Sequence, residues 1–384
     1  MLKKKLWLLL FLLVCFLFSA CRVGTQVLEQ PLEDGEESIF VAGSEKDPLA
    51  GEPRVPKYFD GLYGFVDLEG RVAISAQFTY AELMQEDLAY AEKDEDKFII
   101  DNKGEIAFQI DSDSDGEPFY ETTGYHEGVA IFSYGITAPF LSFRYIDLKG
   151  NDIMGQAYSK AWYFHEGLAY VEEEDNKKRG FIDKQGKYVI EIGRKGWVGR
   201  RFIDGRTYVQ SSESDNYGYI DKTGNLVIPH IFWCAEGFSE GMASVGVVES
   251  NKVCLGYIDT DGNLVVEPQY WEATDFIDGK AVVNERMVID KSGNVLAQAP
   301  DDIYLYGPFS EGIAEARRVE DGLLGYVDED FNWVIPPLYK CTSGSMPCQN
   351  GLICIDEEEE GITYYYNRDG KLLAENPIRV LPHI

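Results

Sequence analysis

The chain has 384 residues, of which 45% are hydrophobic and 26% are charged, a composition typical of globular proteins rather than of disordered or membrane-embedded chains. It holds 66 Asp and Glu residues against 35 Lys and Arg residues, which gives a net charge of −31. A surface this acidic repels phosphate backbones and anionic headgroups, so the composition disfavours nucleic acid as a partner.

The N-terminus combines a basic cluster with a short apolar segment. Three lysines at positions 3–5 precede thirteen apolar residues, 6–18, which are too few for a comfortable membrane span but suit the core of a signal peptide. Ser-Ala then leads directly to Cys21. The segment resembles a bacterial lipoprotein signal, with Phe18 where that pattern usually has an aliphatic residue. The resemblance implies that residues 1–20 are removed, that Cys21 is lipidated, and that the protein is anchored in the cell membrane and faces outside the cytoplasm. An ordinary secretory signal and an uncleaved anchor are the alternatives.

The following segment, residues 21–57, is predicted to be a flexible acidic tether. Residues 22–57 contain four prolines and eight acidic against four basic residues, with only scattered apolar positions. Such a segment buries too little apolar surface to offset its ordering entropy. It is expected to separate a folded body, residues 58–384, from the membrane.

From residue 58 onward the chain repeats itself. Its clearest copies read GFVD at 64–67, GFID at 180–183, GYID at 218–221, GYID at 256–259 and GYVD at 325–328. Four weaker copies end at Asp101, Asp147, Asp290 and Asn367, and the nine copies are spaced 34, 46, 36, 38, 38, 31, 38 and 39 residues apart. Three residues after each of these anchor residues lies a glycine, except in the eighth copy, which has Phe331. This regularity identifies an internal repeat.

One copy shows the predicted structure of the unit. Tyr219 and Ile220 are typical of a strand, and Asp221 to Gly224 of a hairpin loop in which Asp caps backbone N–H groups and Gly adopts a left-handed conformation. A return strand is expected to end at Pro229. A second motif, F-x-[ED]-G followed by small and aliphatic residues, then leads into a further strand. Three or four strands in about 38 residues predict an all-β repeat array.

These two motifs resemble the WG-repeat family of bacteria, whose unit combines W-G-[YF]-I-D-x-x-G with F-x-[ED]-G-L-A-x-V. The resemblance covers about residues 58–374. Other residues replace the tryptophan of the family name, among them Tyr63, Tyr217 and Leu255. The family implies an envelope or extracellular scaffold and supplies no catalytic residues. About nine uneven hairpin units favour an open solenoid or superhelix over a closed propeller-like ring.

The longest spacing contains the only candidate metal site. Asp111, Asp113 and Asp115, followed by Gly116, match the first half of a calcium-binding loop. Thr122 stands where such a loop has its bidentate Glu, and Pro118 interrupts it. The alternative is a solvated acidic loop, and no other cofactor is expected.

No catalytic residues are predicted. His126 and His165 precede Glu127 and Glu166 in the F-x-[ED]-G motif, where the repeat itself explains the carboxylates as turn caps. The histidines are interpreted as variable turn positions rather than as parts of acid–base pairs. Among the five cysteines of the body, the group at positions 341, 348 and 354 allows one disulfide after export.

The sequence therefore predicts a membrane-anchored lipoprotein that displays an acidic β-repeat array as a binding scaffold for an envelope protein. The alternatives are a module that binds cell-wall glycan, which requires a row of exposed Trp or Tyr side chains, and a hydrolase with an unrecognised site.

Overall fold

A computed structural model describes residues 53–111, 116, 119–135, 141–174, 178–193, 196–249, 252–340, 348–357 and 361–377. Within these residues the protein is all-β and contains no α-helix. The chain divides into two compact bodies. The N-terminal body comprises the described residues up to Tyr270, and the C-terminal body comprises those from Trp271 onward.

The N-terminal body contains six antiparallel sheets. Their strands are β1 (Val55–Phe59), β2 (Leu62–Val66) and β3 (Val72–Phe78); β4 (Tyr80–Ala81), β5 (Leu88–Lys93), β6 (Asp96–Asp101) and β7 (Ile106–Ile110); β8 (Phe119–His126), β9 (Val129–Tyr134) and β10 (Ser142–Asp147); β11 (Lys160–Ala161), β12 (Ala169–Glu172), β13 (Arg179–Ile182) and β14 (Tyr188–Glu191); β15 (Arg206–Gln210), β16 (Tyr217–Asp221) and β17 (Leu226–Phe232); and β18 (Cys234–Ser239), β19 (Met242–Glu249), β20 (Lys252–Asp259) and β21 (Leu264–Tyr270).

The C-terminal body contains three further antiparallel sheets. Their strands are β22 (Lys280–Val283), β23 (Met287–Asp290) and β24 (Val295–Gln298); β25 (Ile303–Leu305), β26 (Ile313–Arg318), β27 (Leu324–Asp328) and β28 (Trp333–Tyr339); and β29 (Leu352–Glu357), β30 (Ile362–Asn367) and β31 (Leu372–Pro377).

Each sheet corresponds to one sequence repeat, so the prediction of an all-β array of nine hairpin units is confirmed. Strands adjacent in sequence are adjacent in each sheet, and none of the nine described sheets closes into a barrel. The first strand begins at Val55, three residues before the predicted start of the repeat region.

The hydrophobic core lies between successive sheets. In the N-terminal body, Tyr219 and Ile228 of the fifth sheet pack against Phe238, Ala243 and Ile258 of the sixth sheet. In the C-terminal body, a similar cluster joins the seventh sheet to the eighth. Each repeat therefore depends on its neighbours for a buried face, as in other stacked repeat proteins.

The glycine before the aromatic residue of each clear motif copy faces a close backbone contact. In the fifth repeat, the pairing of β16 with β17 shifts register between Tyr217 and Tyr219, on either side of Gly218. A methyl group at Gly218 would lie 2.4 Å from the carbonyl oxygen of Ile228. This close approach excludes any side chain and explains why the motif requires glycine.

The return strand β17 does not end at Pro229 as predicted from the sequence but continues to Phe232. It is the last strand of its sheet and is paired on one side only. Proline has no N–H group to donate to a neighbouring strand. Because β17 is an edge strand and its register with β16 is shifted here, Pro229 is accommodated without that donor.

Candidate binding surfaces

All nine anchor residues fold their loops in the same way. In the fifth repeat, Oδ1 of Asp221 accepts the N–H groups of Thr223 at 2.9 Å and Asn225 at 3.0 Å, and the Gly224 N–H donates to the Asp221 carbonyl at 2.9 Å. The same pair of side-chain bonds is made by Asp67, Asp101, Asp147, Asp183, Asp259, Asp290, Asp328 and Asn367. The hydroxyl of Thr223 is the main cause that lowers the pKa of Asp221 to about 2. These carboxylates are therefore structural groups.

The acidic residue of the F-x-[ED]-G motif binds the equivalent turn of the next repeat. Glu127 accepts the N–H of Gly167 at 3.2 Å, and Glu166 accepts the N–H of Gly205 at 3.1 Å. Further contacts of this kind join Glu86 to Gly128, Asp204 to Gly241 and Glu311 to Asn350 and Gly351. The predicted capping role holds for Glu127 and Glu166, but each of them caps the neighbouring turn rather than its own. Glu311 acts in the same way.

The two candidate histidines belong to the same turns. Nδ1 of His165 contacts the carbonyl oxygen of Phe202 in the next repeat, and Ser310 donates at 2.7 Å to the equivalent carbonyl of Cys348. The ring of His126 stacks on Tyr163 at a centroid distance of 4.1 Å. The contacts of His165 and Ser310 link one turn to the next. The second residue of the F-x-[ED]-G motif can therefore connect neighbouring repeats.

Only the first aspartate of the candidate calcium loop is among the described residues. Asp111 is exposed and directly follows β7, whereas Asp113 and Asp115 lie outside the described residues, as does the lipidation candidate Cys21. Across the described part of the chain, no group of three or more His, Cys, Asp or Glu residues is arranged to hold a metal ion. None of the described residues belongs to a helix that is long and apolar enough to span a membrane.

The described cysteines are free thiols. Cys348 and Cys354 are buried, Cys234 and Cys254 are partly buried, and Cys341 lies outside the described residues. Burial is the main cause that raises the pKa of the Cys348 thiol to about 12, and Glu311 contributes to the same shift. A thiol with so high a pKa holds little thiolate at neutral pH and is correspondingly unreactive.

Exposed apolar side chains recur at the start of the last strand of three successive repeats. We call those of the fourth, fifth and sixth repeats the apolar row: Val189, Leu226, Val227, Leu264 and Val265. Val72 and Ile106 are exposed at the start of the last strand in the first two repeats as well. A methyl group added at Gly262, two residues before Leu264, would lie 3.1 Å from Cγ2 of Ile228, the residue after Val227. Gly224 has the same relation to Ile190, the residue after Val189, at 3.2 Å. These close contacts bring the loop of each repeat against the last strand of the repeat before it.

Two of the three strands that carry the row, β17 and β21, are protected against pairing with another sheet edge. Pro229 in β17 and Pro268 in β21 each lack the N–H group that an added strand would need. The row therefore offers side chains rather than backbone to a partner. Residues 216–270 contain seven acidic residues against two basic ones, so this apolar surface belongs to an acidic region with a net charge of −5.

A second recurring feature is aromatic. Four successive repeats have a large aromatic residue five positions before the phenylalanine of the F-x-[ED]-G motif, and we call this set the aromatic column. It consists of Trp197 and Trp233 in the N-terminal body and of Trp271 and Tyr304 in the C-terminal body. Trp197 is 48% exposed, Trp271 is 52% exposed, Tyr304 is also exposed and Trp233 is partly buried.

The backbone places these residues equivalently in their repeats. The Trp233 N–H donates to the carbonyl of Gly246 at 2.8 Å, and the Trp197 N–H donates at 3.1 Å to Oε1 of Gln210, the residue that corresponds to Gly246. The Trp271 N–H donates at 2.9 Å to Oδ1 of Asn284, at the same position in its own repeat. The other tryptophans of the described residues differ, since Trp162 is buried under the guanidinium of Arg200 and Trp333 is partly buried in β28.

The sequence contained the signal for this column, but counting from the anchor residues hides it. Trp197 lies fourteen residues after its anchor, whereas Trp233 and Trp271 lie twelve after theirs, because the loops between differ in length. Counting back five residues from Phe202, Phe238, Phe276 and Phe309 brings all four aromatics into register.

Four stretches of the chain match the family described as WG containing repeat, namely residues 63–97, 217–247, 256–286 and 325–340. No curated protein matches the chain. The solved structures that resemble it include a protein of unknown function from Bacteroides caccae, with 12% identity, a TM-score of 0.23, and coverage of 56% of this chain and 92% of that one.

Two further solved structures show a similarly distant likeness. Puromycin hydrolase has 10% identity and a TM-score of 0.37, with coverage of 87% of this chain and 55% of the hydrolase, so this chain spans about half of its length. Hsv2 of Kluyveromyces lactis has 11% identity and a TM-score of 0.28, with coverage of 86% of this chain and all of that one. At these TM-scores none of the likenesses identifies a function.

Proposed function

The chain is a WG-repeat protein, and we propose that it is a lipid-anchored protein of the cell envelope whose repeat array binds a protein partner. In this proposal Cys21 carries the lipid, the acidic segment up to the first strand connects it to the repeats, and the repeats face outside the cytoplasm. The protein acts by binding rather than by catalysis, and nucleic acid is not a partner.

The observation that carries the proposal is the apolar row. Leu226, Val227, Leu264 and Val265 are large apolar side chains that stand exposed at equivalent positions of two successive repeats. Contiguous exposed apolar surface with a polar surround is characteristic of protein interaction sites. The prolines in the same strands direct the contact to side chains, which favours a specific partner over edge-to-edge aggregation.

The acidic charge indicates the kind of partner. The region around the row is acidic, and the whole chain has a net charge of −31. Such a surface accelerates encounters with basic proteins and suppresses those with acidic ones. The proposed partner therefore presents apolar side chains among basic residues, and its binding weakens as the salt concentration rises.

The test is capture of an envelope protein by the purified chain with Cys21→Ser, which removes the proposed lipid attachment. The double variant Val227→Lys/Val265→Lys is expected to lose a partner that the parent retains, because the lysines repel a basic surface and interrupt the row. Val248→Lys is the matched control, since Val248 is 51% exposed but lies outside the row. Equal capture by all three proteins, or capture by none, contradicts the proposal.

The anchor is tested separately in cells. Lipidation of Cys21 predicts that the protein partitions into detergent and incorporates labelled fatty acid, and that Cys21→Ser does neither. Two buried acyl chains anchor a protein stably, at about 0.8 kcal/mol for each buried CH₂ group. If the parent protein stays in the aqueous phase, the anchor is wrong, and the binding proposal is unaffected.

A further inference from the structure

We infer that Glu272 and Glu285 form a proton-dependent contact that holds the seventh sheet to the eighth, and we call the two residues the acid pair. Their side chains hydrogen-bond to each other. Charged carboxylates accept hydrogen bonds and donate none, so this contact exists only while one of the two carboxyl groups holds a proton. Both residues belong to the C-terminal body. The contact is therefore expected to close in mild acid and to open when both groups are charged.

The acid pair lies where the seventh repeat holds the first strand of the eighth. Asn284 and Glu285 form the tip of the hairpin between β22 and β23, with left-handed φ angles of 51° and 57°. The Asn284 N–H donates to the carbonyl of Glu272 at 3.0 Å, and the Leu305 N–H donates to the carbonyl of Glu285 at 2.7 Å. Leu305 is buried in the cluster that joins the two sheets. Opening of the acid pair therefore loosens the backbone that β25 is bonded to.

The repeat itself does not require an acid at position 272. The other four repeats with phenylalanine in the F-x-[ED]-G motif have Lys160, Val198, Cys234 and Leu305 four residues before it. In the fourth repeat, Lys160 is paired across the strands with Glu172, and its Nζ lies 3.9 Å from the carboxylate. The seventh repeat thus has a carboxyl group where the fourth has a lysine that neutralises its neighbour. A proton takes over the role of the lysine.

Burial and the contact itself determine the charge of the acid pair. Burial is the main cause that raises the pKa of Glu285, and the hydrogen bond with Glu272 lowers that pKa. A hydrogen bond that lowers the pKa of a carboxyl group stabilises its charged form, so Glu272 is the donor. Oε2 of Glu272 is buried. A second negative charge at this place is therefore costly.

Charged groups on the adjoining strands and loops are arranged around the acid pair. They are Arg286, Asp301, Asp302, Glu315, Arg317 and Arg318. Arg286 binds Asp301 at 2.7 Å, Arg317 lies over the ring of Tyr306, and Arg318 binds Asp321 at 3.0 Å. These arginines are engaged with their own partners, which leaves the proton as the group that neutralises the pair.

The direction of the pH dependence follows from the raised pKa of Glu285. Above about pH 4 the unfolded chain has lost protons that the folded protein still holds. The stabilisation is therefore complete below that pH and is lost as the pH rises through the raised value. Asp221 has the opposite dependence, because its pKa is lowered. The joint between the seventh and eighth sheets is thus expected to respond to pH in the opposite sense to the loop of Asp221.

The experiment is hydrogen exchange of the chain with Cys21→Ser at about pH 5 and about pH 8, each rate being divided by the intrinsic rate at that pH. The amides of Asn284 and Leu305 report on the joint, because they donate to the backbone of the acid pair. Their protection is expected to fall at least about tenfold at the higher pH, since one unit of pKa difference changes an equilibrium tenfold.

The hairpin tip of the second repeat is the internal control. Asp94 and Glu95 have left-handed φ angles of 52° and 73°, as the tip of the seventh repeat does, but Glu95 is exposed. The protection of the amides around this tip should be the same at both pH values.

Two variants separate the proton from the contact. Glu272→Gln donates a carboxamide N–H to the Glu285 carboxylate at any pH, and Glu272→Lys copies the pair of Lys160 and Glu172. Both are expected to keep the protection of Asn284 and Leu305 at the two pH values equal within about twofold. Glu95→Gln is the matched control and should keep the pH dependence of the parent.

Carbon-13 NMR of labelled glutamate carboxyl groups gives a second measurement that needs no folded variant. In the parent, one carboxyl group is expected to titrate at a higher pH than the other glutamates. The same signal should be absent from Glu272→Gln.

Four results would overturn the inference. They are equal protection of the joint in the parent at both pH values, an equal loss in Glu272→Gln, an equal loss around Asp94 and Glu95, and a parent in which no glutamate titrates above the others. The NMR titration of the parent decides the question if the variants do not fold. The proposed binding of a protein partner is tested at Val227 and Val265 in the N-terminal body, so the two proposals fail independently.

Discussion

The loops of the fifth and eighth repeats have the same hydrogen bonds but different residues at the position with a left-handed backbone. Asp328 accepts the N–H groups of Asp330 and Asn332, as Asp221 does for Thr223 and Asn225. Gly224 has a φ of 86°, whereas Phe331 has a φ of 63°. The bonds to aspartate therefore suffice to hold the loop, even where the residue is not glycine.

The two loops differ in how they meet the preceding repeat. A methyl group at Gly224 would lie 3.2 Å from Cγ2 of Ile190, so the fifth loop packs directly against its neighbour. In the eighth repeat the ring of Phe331 packs against the hydrophobic cluster that joins the seventh sheet to the eighth. Its centroid lies 6.4 Å from that of Phe309 in its own repeat. Glycine thus lets the loop approach the preceding repeat closely. Phenylalanine instead fills the space with its ring, at some cost in backbone strain.

The largest effect is expected when the fifth loop is given the residue of the eighth. Gly224→Phe forces a ring into a contact that already approaches the limit for a methyl group and adds left-handed strain. We expect a loss on the order of 3 kcal/mol in the free energy of unfolding. Chemical denaturation measures it. Gly241→Ala is the control for strain alone, because Gly241 has a φ of 79° but no atom near an added methyl group, and a loss no larger than in this control contradicts the account of stacking.

The reverse change in the eighth repeat separates packing from strain. Phe331→Ala removes the ring and keeps the strain, so we expect a loss of about 2 kcal/mol. Phe331→Gly also removes the ring but relieves the strain, so its loss should be smaller by about 1 kcal/mol. Denaturant midpoints of the two variants give this difference. If alanine proves as stable as glycine here, Phe331 is not strained.

The shared feature of the loops is tested at Asp147. Asp147 accepts the N–H groups of Lys149 at 2.8 Å and Asn151 at 2.9 Å. Its replacement by alanine leaves both without that acceptor and is expected to cost about 1 kcal/mol, as for the loss of a helix cap. Asp147→Asn should retain most of the stability, because Asn367 makes the same two bonds in the ninth repeat. Thermal melting compares the two variants, and equal losses would contradict the capping role.

Acid is expected to weaken the loops of Asp221, Asp259 and Asp290 gradually. Side-chain hydrogen bonds from Asn263 and Asn294 are the main causes that lower the pKa of Asp259 and Asp290, and Asp221 titrates at about 2. Because these pKa values are depressed in the folded state, the stabilisation is complete above the unfolded value of about 4 and is lost as the pH falls through the folded values.

The melting temperature should therefore fall between about pH 4 and about pH 2. A variant with Asn at positions 221, 259 and 290 should show a shallower fall over that range. The same slope in both proteins would mean that other groups determine the acid sensitivity.

These comparisons also show what the sequence could predict. The Asp-x-x-Gly pattern sets local hydrogen bonds within five residues, so the nine hairpins and the role of their anchors follow from the spacing alone. The end of β17 was predicted wrongly, because the tolerance for Pro229 depends on the strand being an edge with shifted register.

Contacts between repeats were harder to predict than those within them. That Glu127 binds the turn at Gly167 depends on how sheets stack, which a single repeat does not encode. The aromatic column was missed for a different reason, since its register follows the turns and not the anchors. Neither Cys21 nor the pair Asp113 and Asp115 lies in the described residues, so both the lipid anchor and the calcium loop stay predictions.

The central claim is that the loops and turns hold the array together while exposed side chains on the strands bind the partner. It is tested most directly by measuring the melting temperature and the partner capture of two variants together, Asp147→Ala and Val227→Lys/Val265→Lys. The account predicts a lower melting temperature with capture retained for the first, and an unchanged melting temperature with capture lost for the second. If the second variant captures the partner as well as the parent chain does while folded, the account of the binding surface is wrong.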